Sequence, residues 1–207
     1  MHSSDYLVAF SGNTQNYCVG LVDMVNSTKI AATIGNGKIS TYYQIFLNSM
    51  SRILSRFGGF VIKNVGDCLV YYFPESLKSN RKYGFMSCLE CSLAMIEYHD
   101  TICKRLDKEK LPYVDYRISA DYGSVVLMKS NNSTAVDMIG PPVNMCSKIN
   151  HAATKNNIAI QFNKTKIGSI GEVVIFSNDT NLPANSFMRN KNPASDLIKP
   201  ITAKGKI

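Results

Sequence analysis

At 207 residues, with 45% hydrophobic and 18% charged residues, the chain can bury a full core as one domain, and a disordered polypeptide is excluded. No apolar run approaches the roughly 20 residues of a membrane-spanning helix. The opening MHSSDYLVAFSGN lacks a basic segment followed by a long apolar one, so a soluble, cytoplasmic protein is expected. The net charge of +8 is uneven, because Arg189, Lys191, Lys199, Lys204 and Lys206 against Asp196 place half of it at one end. A basic arm suits nucleic acid or anionic lipid, and equally a solubilising terminus. The last reading is simpler, and no nucleic-acid role is expected.

Six cysteines lie in apolar segments without the spacing of a secreted disulfide scaffold. The pair Cys88 and Cys91 falls in a helical pattern with no second pair to complete a zinc site, so both read as small buried residues.

In chain order, residues 1–14 read as a polar leader. Residues 16–25, NYCVGLVDMV, are nearly continuously apolar, as in a central buried strand, with Asp23 near the end. Ser27 to Ile34 form a short helix stopped by Gly35-Asn36-Gly37. A longer helix carries Ile39, Phe46, Met50, Ile53 and Phe57 at helical spacing and ends at Gly58-Gly59. Two runs, Phe60–Ile62 and Leu69–Phe73, flank Lys63-Asn64-Val65-Gly66-Asp67 and predict a hairpin with Asp67 beside a glycine at its turn. A helix over 82–106 follows, then a second strand pair, 113–120 and 124–128, around Asp121-Tyr122-Gly123. Residues 129–134 read as a projecting loop. Pro141-Pro142 opens a helix over 143–153, and late strands cover 158–162 and 172–176. One domain over 15–178 and a basic, flexible tail over 179–207 complete the organisation.

This order describes an α+β fold, an antiparallel-rich, ferredoxin-like sheet with helices on one face. A crossover from the first strand that leaves room for a third brings the end of strand 16–25 beside the hairpin turn. Asp23 and Asp67 then meet at one sheet edge. Two carboxylates there suit a hard divalent cation that shares its shell with substrate phosphates. Asn26, Ser27 and Thr28, at the start of the short helix, can offer backbone N–H groups to phosphate.

The motifs Val22-Asp23-Met24-Val25-Asn26-Ser27-Thr28, Gly58-Gly59 with Lys63-x-x-Gly66-Asp67, Arg117 ahead of Gly123, and Asp137-x-x-Gly140-x-x-Val143-Asn144 resemble the class III adenylate/guanylate cyclase catalytic domain, over about residues 16–162. The resemblance implies that Asp23, Asp67 and the carbonyl of Met24 hold two Mg²⁺ or Mn²⁺ ions per site. It implies that Lys63 and Asp137 read the adenine of ATP, that Asn144 orients the ribose, and that a head-to-tail homodimer forms two sites, each shared by both chains. The product would be 3′,5′-cyclic AMP with pyrophosphate. Lys148 stands where the family has arginine; it keeps the charge and loses the planar two-pronged donor. It serves either as a weaker substitute or as the mark of a slow enzyme. The alternatives are a cyclase-like module that binds ATP to regulate a partner and a palm-type nucleotidyl transferase. The triphosphate-binding lysine of the family has no well-spaced counterpart, since Lys204 lies too far from Asn144.

Overall fold

In the computed structural model, residues 7–74, 82–130, 136–153, 155, 157–162 and 174–177 are described. The elements are β1 (Val8–Met24), α1 (Ser27–Thr33), α2 (Asn36–Arg56), β2 (Phe60–Val65), β3 (Cys68–Phe73), α3 (Lys82–Glu97), α4 (His99–Lys108), β4 (Tyr116–Ser130), β5 (Val136–Ile139), α5 (Pro141–Ala152), β6 (Asn157–Phe162) and β7 (Val174–Ser177). They build one sheet in the order β2-β3-β1-β4-β6-β7, with β5 paired to β4. All its pairings are antiparallel except β4 with β6.

The centre of the sheet is β1, where Tyr17, Cys18, Val19 and Gly20 are all buried because both faces are covered. One face packs under α2, α3 and α4 through Cys18, Val22, Met24, Phe46, Met50, Met95, Leu106, Ile118 and Ala120. The alternate residues Tyr17 and Val19 face the other way, with Val70, Val125, Met138 and Cys146 of α5. Helices therefore lie on both faces, not on one as the pattern of elements predicts. Alternation puts Asp23 on the α5 face, because Val22 and Met24 belong to the opposite core.

The α2 helix ends where Gly58, at φ 75°, enters the left-handed region. The Gly59 N–H then reaches back to the Leu54 carbonyl at 3.1 Å. The hairpin turns at Gly66, with φ 62°.

Other expectations are corrected. β1 begins at Val8, so residues 8–14 are strand and not leader; they pair along β4 as far as Ser130, past an irregularity between Phe10 and Thr14. The expected strand pair over 113–128 is one continuous strand, β4. Asp121-Tyr122-Gly123 is no turn; these residues are buried opposite Val19, Cys18 and Tyr17, and Gly123 leaves space for Pro142 of α5. The expected helix over 82–106 is two helices broken at Tyr98, beside which His99 Nε2 lies 2.9 Å from the Val114 carbonyl. The structure also contains β5, which the sequence pattern did not suggest. Lys129 and Ser130 of the expected loop are strand, while 131–135, like the tail 179–207, lies outside the described residues. None of the six cysteines forms a disulfide, and all are buried. Among the described residues, no helix is long and apolar enough to cross a membrane.

Candidate active site

Strand register decides the first cluster. Asp23 lies directly opposite Cys68 on β3 and opposite Arg117 on β4. Asp67 immediately precedes Cys68, so carboxylates from distant parts of the chain become neighbours. Their repulsion is felt: burial, then the Asp67 charge, push the Asp23 pKa up, and Arg117 opposes the rise. Burial and the same two carboxylates push the Cys68 thiol up to about 12, so it is not a nucleophile at neutral pH. Arg117 Nη2 donates to Asp23 Oδ2 at 3.1 Å, while the buried Arg117 Nε has no hydrogen-bond partner among the described residues. His151, at the end of α5, is near enough for its charge to lower the Asp23 pKa. Sequence reasoning used Arg117 only as a landmark and missed His151. Cross-strand register is the signal that finds Arg117.

The second cluster pairs Lys63 of β2 with Asp137 of β5. Lys63 Nζ donates to Asp137 Oδ2 at 2.5 Å, across 74 residues of sequence. Asp137 Oδ1 also accepts from the Met138 N–H at 2.7 Å, which fixes the carboxylate. The side chains remain 42% and 27% exposed, so this ion pair adds little to stability and stays open to a ligand. A register shift between Val61 and Lys63 changes the alternation of β2 just before the lysine.

Asn144 and Lys148 lie one turn apart on α5, both exposed. Among the described residues, no hydrogen bond or ion pair of their side chains links them to either cluster. Met24 buries its side chain on the far face and ends β1, while Asn26 adopts a left-handed φ of 58° ahead of Ser27 and Thr28 in the first turn of α1. That turn carries N–H groups without intrahelical partners. The structure thus brings Asp23 to Asp67 and Lys63 to Asp137, and leaves Asn144 and Lys148 on a free helix face.

No group of three or more His, Cys, Asp or Glu side chains that could hold a metal ion occurs among the described residues. Two carboxylates and nearby backbone carbonyls are a hard-oxygen donor set. They fit Mg²⁺ or Mn²⁺ completed by phosphate and water, and not a closed zinc site.

Asp121, 8% exposed on β4, is a further acid. Burial pushes its pKa up to about 6, partly opposed by a 2.9 Å hydrogen bond from the Tyr122 N–H. A folded-state pKa above the unfolded value of about 3.9 means the folded protein holds this proton more tightly. The associated stability is full below pH ~4 and is lost as pH rises through ~6, because the buried carboxylate must ionise. Asp121→Asn is therefore expected to match the parent near pH 4 and exceed it by about 2 kcal/mol at pH 7.5, read from urea unfolding. A difference independent of pH would contradict this assignment.

The fold is that of nucleotidyl cyclase domains. The adenylyl cyclase CyaB from P. aeruginosa superposes with a TM-score of 0.66 at 20% identity, covering 72% of this chain and 79% of its own. The guanylyl cyclase Cya2 does so at 0.68 and 15% identity, covering 82% and 97%. The sequence profile of the adenylate and guanylate cyclase catalytic domain matches residues 10–183, and the chain belongs to that family. A curated relative, a cytidylate cyclase from Staphylococcus aureus, is 25% identical over 163 residues, which is 74% of this chain. The match spans only 38% of that relative's length.

Proposed function

We propose that the domain is a nucleotidyl cyclase that converts ATP to 3′,5′-cyclic AMP and pyrophosphate at two sites of a head-to-tail homodimer. The observation that carries this reading is the register of Asp23 against Cys68, which sets two carboxylates side by side in a cyclase-family sheet. Asp23, Asp67 and the Met24 carbonyl would hold two Mg²⁺ or Mn²⁺ ions. Bound there, the ions supply positive charge that acidifies the ribose 3′-hydroxyl and neutralises the triphosphate. The 3′-oxygen attacks the α-phosphorus, the bond to the bridging oxygen breaks, pyrophosphate leaves, and the hydroxyl proton passes to solvent. The N–H groups of Asn26, Ser27 and Thr28 support phosphate oxygens. Asn144 orients the ribose and Lys148 stabilises charge on the reacting phosphate. Because no side-chain hydrogen bond or ion pair ties these two to the Asp23–Asp67 cluster among the described residues, the partner copy is proposed to supply them, together with Lys63 and Asp137.

Lys63 donates to a ring nitrogen of adenine, and Asp137 accepts from the exocyclic amine. Cytosine presents the same order, a ring acceptor beside an amine, so CTP is the second reading, favoured by the cytidylate cyclase among the relatives. Guanine and uracil reverse the pattern and leave both groups unpaired. The test is mass-spectrometric identification of products from ATP, GTP, CTP and UTP with Mg²⁺ and with Mn²⁺. Cyclic AMP as the main product supports the proposal, and a predominance of cyclic CMP supports the second reading. Nucleotide binding without any cyclic product would overturn both in favour of a binding module.

The base-reading pair has its own test. Lys63→Glu combined with Asp137→Cys replaces the donor by an acceptor and is expected to move the kcat/KM ratio toward GTP by about tenfold or more. An unchanged ratio would refute the assignment.

A further inference from the structure

On the sheet face opposite Asp23, α2 and α4 leave between them a groove of about 640 Å³. Its floor is apolar, formed by the buried Ile53 and Ile102, and its walls are cationic. Arg52 and Arg56 line it from α2, and Lys104, Arg105 and Lys108 from α4. Glu109 is the sole acid among the lining residues. None of the five cations forms an ion pair among the described residues.

Ordinary helix chemistry explains part of this arrangement. Arg56, Arg105 and Lys108 occupy last helical turns, where positive charge complements the macrodipole. Arg52 and Lys104 lie a turn earlier, and the pairs Arg52/Arg56 and Lys104/Lys108 set like charges at i and i+4, an arrangement that destabilises a helix. Tyr98 adds an aromatic surface, 42% exposed, at the break between α3 and α4. From Tyr98 to Lys108 the groove follows α4 for about 15 Å at 1.5 Å per residue. Cations spaced along a groove with an exposed aromatic ring suit a ligand that has both phosphates and a base to stack. A surface for acidic protein would not need the ring.

We propose that this groove is a second, non-catalytic site for a nucleotide ligand, with phosphates on Arg52, Arg56, Lys104, Arg105 and Lys108 and a base on Tyr98. The same chemistry is offered by a free nucleoside polyphosphate and by a single-stranded nucleic acid, and two arms of one experiment separate them. The full chain is titrated with a fluorescein-labelled 12-nucleotide single-stranded RNA by anisotropy, and with ATP in EDTA by calorimetry. Both are repeated for Arg52→Glu/Lys104→Glu and for Tyr98→Ala, after circular dichroism shows each variant folded. Arg52→Gln/Lys104→Gln stands in should the reversal fail to fold. The proposal expects the charge variant to lose at least tenfold in affinity for one of the two probes and to flatten its salt dependence. Tyr98→Ala should weaken the same probe severalfold. Loss confined to RNA assigns the strand, and loss confined to ATP assigns the free nucleotide. Affinity for both probes that the groove variants leave unchanged overturns the site. So does poly-glutamate binding as tightly as RNA with no effect of Tyr98→Ala, which would mark the surface as one for acidic protein.

Discussion

Asp67→Ala is expected to lower cyclic nucleotide formation by about 10³-fold, with nucleotide affinity in EDTA little changed. The proposed task of the carboxylate is to hold metal. It sits in the turn before Cys68, only partly buried, and its charge raises the pKa of Asp23. A residue kept for folding would not be placed to repel a neighbouring carboxylate in a partly buried site. Removing it should let Asp23 ionise more readily, so the variant also separates electrostatics from metal binding. If repulsion alone mattered, activity would rise at low pH; if Asp67 is a ligand, activity falls at every pH and excess Mn²⁺ restores little. Asp23→Asn should be as inactive and less stable, because it weakens the 3.1 Å ion pair of Arg117.

Lys148→Arg is expected to raise kcat by about 10- to 100-fold while KM changes little. Both residues are cations on the exposed face of α5, so long-range attraction for the triphosphate is the same. What arginine adds is a planar pair of donors that fits two phosphate oxygens together, an advantage realised as charge develops in the transition state. The signature is therefore a change in kcat. A parallel change in KM would place Lys148 in ground-state binding. No change would remove it from the reaction.

The sequence made much of the frame legible because the physics there is local. The apolar run around Val19, the spacing of Phe46 and Met50, and the glycines at 58 and 66 each report on a few neighbouring residues. The meeting of Asp23 with Asp67 was also within reach, because a crossover that leaves room for one strand fixes which ends come together. Three features were not. The long β1–β4 ribbon is held by pairing, and residues 8–14 and 121–123 look like polar leader and turn until their partner strand is known. The Asp23–Arg117 pair depends on register between strands that are far apart in sequence, and no periodicity in either strand encodes it. The placement of α5 on the opposite face follows the same rule. Its apolar side, with Cys146 against Val19, is easily read as a helix stripe, but nothing in the stripe says which face of the sheet receives it.

The hairpin from Phe60 to Phe73 carries the central claim, since Lys63 and Asp67 lie four residues apart and are assigned to opposite sites of a symmetric dimer. Mixing two variants tests it. Asp67→Ala lacks the proposed metal carboxylate and Lys63→Ala the proposed base reader, and each homodimer should be inactive. In a freely exchanging head-to-tail dimer, half of the molecules are mixed and each keeps one intact site, so the mixture should recover about a quarter of the parent activity. A mixture as inactive as its components, beside an active parent, would show that each chain builds its own site and would contradict the account.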